Sequence, residues 1–98
     1  MHTVVRIYSG KGAAETIDLI IANKKDVKKL MHSVKGFIDY SVVKTEDGGF
    51  SVTVSKTEKA SEAITAAARE WVMANAKTLK VKPPKVMGGK VGLSIGAP

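Results

Sequence analysis

Residues 46–57, EDGGFSVTVSKT, predict a turn followed by a β-strand with two unlike faces. Successive side chains of a strand point to opposite sides of its sheet, so this strand separates into two rows. The apolar row is Phe50, Val52 and Val54, which we expect to lie in a core. The hydroxyl row consists of Ser51, Thr53 and Ser55. What this second row contacts depends on the elements around it.

A strand, a long helix and a second strand precede this stretch. Residues 3–10, TVVRIYSG, alternate as a strand does. Apolar residues then recur every three or four positions over residues 12–34, which predicts one helix. Gly36 stands where a left-handed cap usually ends a helix. Residues 37–45, FIDYSVVKT, return to the period of a strand, and the EDGG turn joins them to the hydroxyl strand as a β-hairpin.

A second helix and a last strand follow. Thr57 is suited to cap that helix through its hydroxyl. The inner stripe of the helix is rich in alanine and includes Ile64 and Trp71. The segment 77–85 contains two prolines, which cannot continue a helix, and predicts a crossover. Residues 89–96, GKVGLSIG, alternate again and predict the last strand.

The element order β-α-β-β-α-β predicts a ferredoxin-like α+β fold, with a four-stranded antiparallel sheet and two helices on one face. We expect residues 1–98 to form a single domain of this kind. The more apolar row of each strand is assigned to the helix side, as the core: Val5, Ile7, Ile38, Tyr40, Val42, Phe50, Val52, Val54, Val91, Leu93 and Ile95. The other, open face then carries mainly small and hydroxyl residues.

Composition restricts the function classes. The chain has no cysteine, which excludes disulfides and thiolate chemistry. No window approaches the ~18 apolar residues of a membrane span, and no signal pattern opens the sequence, so we expect cytoplasmic residence without a membrane partner. The two histidines are far apart and no acidic cluster accompanies them, so we expect no metal site. The net charge is +7, and no acidic residue follows Glu70.

The predicted open face has three candidate uses. An RNA-recognition module shares this element order, but it stacks bases on aromatic residues, and the only aromatic predicted on this face is Tyr8. The pattern therefore does not favour nucleic acid. Solvent is a second candidate. A second copy of the chain is the third, and small residues suit it best; we expect a homodimer. Its predicted face is Arg6, Tyr8, Ser51, Thr53 and Ser55.

The stretch VKGFIDYSVVKTEDGGFSVTVSKTEKASEAI, residues 34–64, resembles the antibiotic-biosynthesis-monooxygenase-like proteins. Lys35-Gly36-Phe37 stands where those proteins often have a Pro-Gly-Phe turn. The resemblance extends over roughly residues 3 to 76. It implies a dimeric α+β barrel, in which two sheets pack face to face and any substrate pocket lies between the sheet and the helices of each subunit.

The same resemblance covers cofactor-independent oxygenases, haem-degrading enzymes and members without known activity. The haem-degrading members use an Asn on the first strand, and a Trp and a His associated with the second helix. This chain has Arg6 and Tyr8 on that strand, and Trp71 and Asn75 but no His in that helix. We therefore expect no cofactor and assign no catalytic residue, and whether the protein is an enzyme stays open.

Two functions remain. The first is a small monooxygenase-like domain that binds a small hydrophobic molecule between sheet and helices, in a pocket formed by Tyr40, Phe50, Trp71, Asn75 and Lys24. Lys24 is included because it falls inside the apolar stripe of the first helix, where a buried amine would have a lowered pKa. The alternative is a non-catalytic dimerisation or regulatory module with an anion-binding basic segment, Lys77 to Lys90. A filled core at the predicted pocket would favour the alternative.

Overall fold

The computed structural model describes residues 1–98 and has the predicted ferredoxin-like α+β architecture. The sheet has the strand order β2-β3-β1-β4, and every neighbouring pair is antiparallel. Three helices pack on one of its faces. The elements in chain order are β1 (His2–Ser9), α1 (Ala13–Ala22), α2 (Lys24–His32), β2 (Phe37–Thr45), β3 (Gly48–Ser55), α3 (Glu58–Asn75) and β4 (Lys85–Lys90).

The first helical segment is broken in two at Asn23, where the sequence predicts one continuous helix. The backbone of Asn23 leaves helical geometry, with φ −104° and ψ 36°. Its side-chain amide donates to the Leu19 carbonyl oxygen over 2.8 Å, and its backbone N–H donates to the same oxygen over 3.1 Å. Beyond the break, Val27 and Met31 of α2 are buried in one cluster with Ile64 and Ala68 of α3.

Two predicted turn positions are confirmed. Gly36 has φ 93°, the left-handed conformation that glycine adopts without strain. The β2–β3 hairpin turns through residues 46 and 47, since Thr45 pairs with Gly48. The glycines of this hairpin serve close packing. A Cβ on Gly49 would lie 2.8 Å from the Ile17 side chain, so α1 rests directly on β3.

The last strand begins and ends earlier than predicted. β4 pairs with β1 from Ile7↔Lys85 to His2↔Lys90, and the backbone N–H of Val91 donates to the Met1 carbonyl oxygen. Residues 91–98 have no regular structure, and Leu93 and Ile95, which were predicted to lie in the core, are 80% and 83% exposed.

The faces of β1 and β3 are reversed relative to the prediction. Ser55 Oγ hydrogen-bonds Ser61 Oγ of α3, and Arg6 Nη1 donates to Thr65 Oγ1 of α3 over 3.0 Å. The hydroxyl row thus lies beneath the helices. The prediction of a dimer face was therefore wrong for all five of its residues, which are buried on the helix side: Arg6, Tyr8, Ser51, Thr53 and Ser55.

The reason for this reversal is steric. α1 sits close enough to β3 that Ile17 contacts Gly49, and α3 presents the small residues Ala60, Ser61 and Ala68 to the layer below. Small side chains on β3 are needed where a helix approaches the sheet this closely. The β1 row follows β3 because paired residues share a face, and Arg6 lies opposite Ser51 and Tyr8 opposite Gly49. Tyr40 and Val42 of β2 do lie on the helix side as predicted, packed against the cluster of Ile20, Val27, Met31, Ile64 and Ala68.

The larger apolar side chains consequently occupy the face away from the helices. Val5 lies opposite Val52 and Ile7 opposite Phe50 across the β1–β3 pair. An irregularity in register at Phe37/Asp39 leaves Ile38 exposed outside the core. The open face is thus an unusually apolar surface formed by Val5, Ile7, Val43, Phe50, Val52, Val54 and Met87. None of the helices is both long and apolar enough to cross a membrane.

Candidate functional site

A cavity of about 380 Å³ lies between α3, β1 and the segment 81–86 that leads into β4. We call it the α3 cavity. Just before this segment, the chain at Leu79 packs tightly against Gly12. A Cβ on Gly12 would lie only 2.5 Å from the Leu79 carbonyl oxygen. The apolar walls of the cavity are Val72, Met73, Val81, Pro83, Pro84 and Val86.

Arg6 and Tyr8 lie where this cavity meets the sheet. Arg6 is only 3% exposed, although it carries a full positive charge. One of its terminal nitrogens donates to Thr65 on α3, whereas the other, Nη2, is buried without any hydrogen-bond partner. The only ion pair in the structure joins Lys44 to Asp18 elsewhere, over 2.8 Å. Arg6 is therefore a buried cation without a counter-ion.

Two phenols adjoin the Arg6 guanidinium. Burial raises the pKa of Tyr8 above its ordinary value of 10.0, and the Arg6 charge offsets part of that effect. Burial likewise raises the pKa of Tyr40, with Arg6 again opposing it. Both phenols are therefore neutral at physiological pH and act as hydrogen-bonding groups rather than as anions that could neutralise Arg6.

The hydroxyl row of β3 supplies further polar groups on the helix side of the sheet, where Arg6 also lies. Ser51 pairs with Arg6 across the β1–β3 ladder, and Thr53 lies between Val4 and Tyr40. Both side chains are almost wholly buried, and neither hydroxyl has a partner in good hydrogen-bond geometry, although Ser51 lies close enough to Tyr40 to oppose the rise in the pKa of that phenol. Buried polar groups in native proteins are nearly always paired. Of the three groups without a partner, on Arg6, Ser51 and Thr53, only Arg6 also lines the α3 cavity, and this makes the cavity a candidate binding site.

The five residues of the predicted pocket do not line one cavity. Tyr40 and Trp71 adjoin a void of only about 10 Å³ between the sheet and the helices, so the core is filled there. Phe50 lies on the opposite face of the sheet. Asn75 is exposed, with its amide donating to the Trp71 carbonyl oxygen over 2.8 Å. Lys24 is exposed as well.

Lys24 lies in a second, more open depression between α2 and the outer edge of β2. This groove has a volume of about 510 Å³ and is walled partly by the exposed residues Ile21 and Ile38. Lys24 lines it together with Tyr40, a second residue of the predicted pocket, and with Lys28 and Asp39. It contains no buried polar group without a partner, which distinguishes it from the α3 cavity.

The residues around the α3 cavity do not fit a haem. Iron in haem proteins is held by His, Cys, Met or Tyr. His2 lies outside the cavity and hydrogen-bonds Ser61 through Nδ1 over 2.8 Å, and His32 lines the α2–β2 groove. Tyr8 and Met73 do line the cavity. Burial raises the pKa of Tyr8, which opposes the phenolate form that binds iron. Met holds haem iron together with a His, and no His lines the cavity. The fold also contains no group of three or more metal-binding side chains.

Sequence comparison gives no matching family model and no matching curated protein. Structural comparison does give matches. A protein of unknown function from Nitrosomonas europaea aligns with a TM-score of 0.67 at 19% identity, over 99% of this chain and 93% of that one. A monooxygenase from the ActVA-Orf6 gene of Streptomyces coelicolor, in complex with nanaomycin D, aligns with a TM-score of 0.65 at 20% identity, over 99% and 91%.

A mutant of MhuD with two manganese protoporphyrin IX molecules bound per active site also aligns. Its TM-score is 0.67 at 17% identity, over 98% of each chain. The fold is therefore that of the antibiotic-biosynthesis-monooxygenase-like proteins, the group that the sequence resembles. At these identities the likeness is one of fold, and the ligands named belong to the other proteins.

Sequence reasoning missed most of the candidate site. Arg6 and Tyr8 were assigned to a dimer face. Of the other cationic residues that line the cavity, Arg69 was given no role, and Lys82 was included only as part of the basic segment Lys77 to Lys90. One signal was available. Arg6 interrupts an otherwise apolar stretch of β1, and a charge in a strand that belongs to a small core needs a specific reason.

Proposed function

We propose that this protein is a homodimer that binds a small, largely apolar molecule in the α3 cavity of each subunit. The observation that carries this proposal is a cavity of about 380 Å³ with apolar walls that reaches a buried, unpartnered arginine. Small-molecule sites typically combine apolar walls with a few convergent polar groups in volumes of about 300–1,000 Å³. At the lower end of that range, a ligand of one or two fused rings fits best.

The structural relatives support a small-molecule ligand. The Streptomyces coelicolor monooxygenase was crystallised with nanaomycin D, and MhuD holds porphyrins in its active site. This chain differs at the site itself, because its cavity offers no group suited to hold haem iron. Of these two complexes, the one with nanaomycin D is therefore the nearer model for binding in this cavity.

The apolar open face supports the homodimer. Contiguous exposed apolar surface on a soluble protein usually marks an interaction site. Here it extends over β1 and β3 and includes Met87 on β4, while the neighbouring residues Leu93 and Ile95 are almost wholly exposed. A second copy that packs its own open face against this one would cover the row, and twofold dimers are the commonest assemblies. This interface uses the apolar row of β3 in place of the hydroxyl row.

Filling the cavity tests the binding proposal. We expect Val72→Trp to weaken binding of 2-naphthamide, a neutral two-ring probe, by about tenfold or more, since tenfold corresponds to only about 1.4 kcal/mol. The measurement is isothermal titration calorimetry. The matched control is Ala74→Trp, which adds the same side chain at an exposed position of α3 outside the cavity. Equal binding by both variants would contradict the proposal.

A regulatory module without a ligand is the second candidate. It is favoured by the filled core between Tyr40 and Trp71, where only about 10 Å³ is empty. Its basic segment is not separate from the α3 cavity, since Lys82 lines that cavity. The two functions differ in one result. A module of this kind would form the dimer but would bind neither 2-naphthamide nor nanaomycin D.

A further inference from the structure

Three cationic side chains line the α3 cavity, and no carboxylate does. Arg6 lies at the sheet, while Arg69 of α3 and Lys82 of the 81–86 segment are exposed. Three different elements therefore direct positive charge towards one space. A cleft lined by charges of a single sign concentrates ions of the opposite sign.

The two exposed cations alone would be ordinary surface charges, so the argument rests on Arg6. Removing a guanidinium from water is costly unless it is paired and hydrogen-bonded. Within the chain, Arg6 has only neutral neighbours. They are the Thr65 hydroxyl, the Ser51 hydroxyl, and the protonated phenols of Tyr8 and Tyr40, whose pKa values burial raises and Arg6 opposes through its charge and through hydrogen bonding. No group of the protein supplies the missing negative charge.

A buried water does not remove this deficit. The void beside Arg6 and Tyr40, at about 10 Å³, is large enough for at most one water molecule. Such a water would satisfy a hydrogen bond of Nη2 but would leave the charge uncompensated. An anion in the adjoining α3 cavity would compensate it, because Coulombic attraction acts over several ångströms at low dielectric.

We propose that the α3 cavity selects an organic oxyanion, a one- or two-ring molecule whose carboxylate or ionised phenol is held by the positive charge of Arg6. This inference rests on the proposed function and adds the chemical class of the ligand. The apolar walls contact the rings, Arg6 attracts the oxyanion at the sheet, and Arg69 and Lys82 attract the anion as it enters.

A pair of probes of nearly equal shape tests the inference. 2-Naphthoate and 2-naphthamide differ in charge and not in ring size, and their affinities are measured by calorimetry at low salt. We expect the native protein to bind the carboxylate at least about tenfold more tightly than the amide, which corresponds to about 1.4 kcal/mol. 4-Nitrophenol tests the phenol arm, since its ionised form absorbs at longer wavelength. We expect binding to increase that absorption at a fixed pH.

The variant Arg6→Met keeps an unbranched side chain and removes the charge. We expect it to lose most of the preference for naphthoate, so that the ratio of the two affinities falls towards one. Lys90→Met is the control for net charge, because it removes one positive charge at the end of β4 outside the cavity. We expect it to keep the preference. Circular dichroism establishes that each variant is folded.

The outcomes separate the two proposals. If the native protein binds naphthoate and naphthamide equally, the oxyanion inference is wrong and the cavity proposal stands. If it binds neither probe at millimolar concentration, both are wrong. A preference that persists in Arg6→Met would also overturn the assignment to Arg6. Should that variant fail to fold, the ratio of affinities and the nitrophenol spectrum of the native protein still decide the question.

Discussion

Arg6 is the residue on which most of this interpretation depends. A buried charge that the protein does not neutralise opposes folding, so it is retained for a reason other than stability. Period-two alternation does predict that Arg6 shares a face with Val4 and Tyr8. It does not predict which face that is. The choice depends on how closely α1 and α3 approach the sheet, and that distance is a tertiary property.

Arg6→Met measures the cost of the buried charge. We expect the free energy of unfolding of the ligand-free protein to rise by about 1–3 kcal/mol, because the substitution removes an unsatisfied buried group. The measurement is urea denaturation, and Arg69→Met is the matched control at an exposed position, with an expected change of about 0.5 kcal/mol or less. A fall of about 3–5 kcal/mol in Arg6→Met would mean that Arg6 is paired within the free chain.

The buried phenols make a pH-dependent contribution of known sign. The pKa values of Tyr8 and Tyr40 in the folded protein are raised above the ordinary 10.0, so the folded state holds these protons more tightly than the unfolded state. Their contribution is fully present below about pH 10 and is lost as the pH rises through the raised values. We expect Tyr8→Phe with Tyr40→Phe to flatten the alkaline decline of unfolding free energy. An unchanged slope would contradict this.

At the scale of elements, the hairpin, the caps and the order of strands are local features, and they were predictable. The hairpin follows from two alternating runs around EDGG. The bounds of β4 were not predictable in this way, because they are set by its pairing with β1, which no local pattern in β4 specifies. The only indication of the break at Asn23 was that Lys24 falls on the apolar stripe of the predicted helix. Asn23 is neither glycine nor proline, so its residue type does not strongly predict the end of a helix.

The cap of α3 gives a direct test at this scale. The Thr57 hydroxyl accepts a hydrogen bond from the Ala60 backbone N–H over 3.1 Å. We expect Thr57→Ala to lower the free energy of unfolding by about 1 kcal/mol, since a free N–H remains at the start of the helix. Thr78→Ala, at an exposed position after α3, is the control and should change little. Equal losses in the two variants would show that the cap does not stabilise α3.

The close contact between α1 and β3 gives a second test of how the elements pack. Gly49→Ala would place a methyl group against Ile17 and the Val43 carbonyl, whereas a Cβ on Gly89 of β4 would meet nothing within 4 Å. We expect Gly49→Ala to lower the thermal midpoint and to cost about 1–3 kcal/mol, as overpacked cores do. Gly89→Ala should remain within about 0.5 kcal/mol of the native protein. A midpoint for Gly49→Ala close to that of Gly89→Ala would contradict the close approach of α1.

At the scale of the whole molecule, the two faces of the sheet divide the proposed roles. The helix side contains the cavity and the buried polar layer, and the open side is apolar. Sequence analysis predicted both a dimer face and a pocket between the sheet and the helices. For β1 and β3, however, it assigned the helix-side residues to the open face and the open-face residues to the helix side. Alternation identifies the two rows of a strand, and only the packing of the helices distinguishes them.

The division implies that the two proposed roles can be separated by mutation. We expect Val52→Lys, at the centre of the open face, to convert the homodimer to a monomer because a lysine cannot be buried between two sheets without a partner. Ile21→Lys, at an exposed apolar position of α1, is the control and should leave the dimer intact. Light scattering after size exclusion measures both masses. A dimer in Val52→Lys would place the interface elsewhere.

Native mass spectrometry of the protein with 2-naphthoate tests the dimer and the cavity in one experiment, because it reports subunit number and bound ligand together. The subunit mass is 10.4 kDa. We predict a dimer that carries one naphthoate in each subunit. A monomer would contradict the assignment of the open face, and a dimer that carries no naphthoate would contradict the assignment of the cavity.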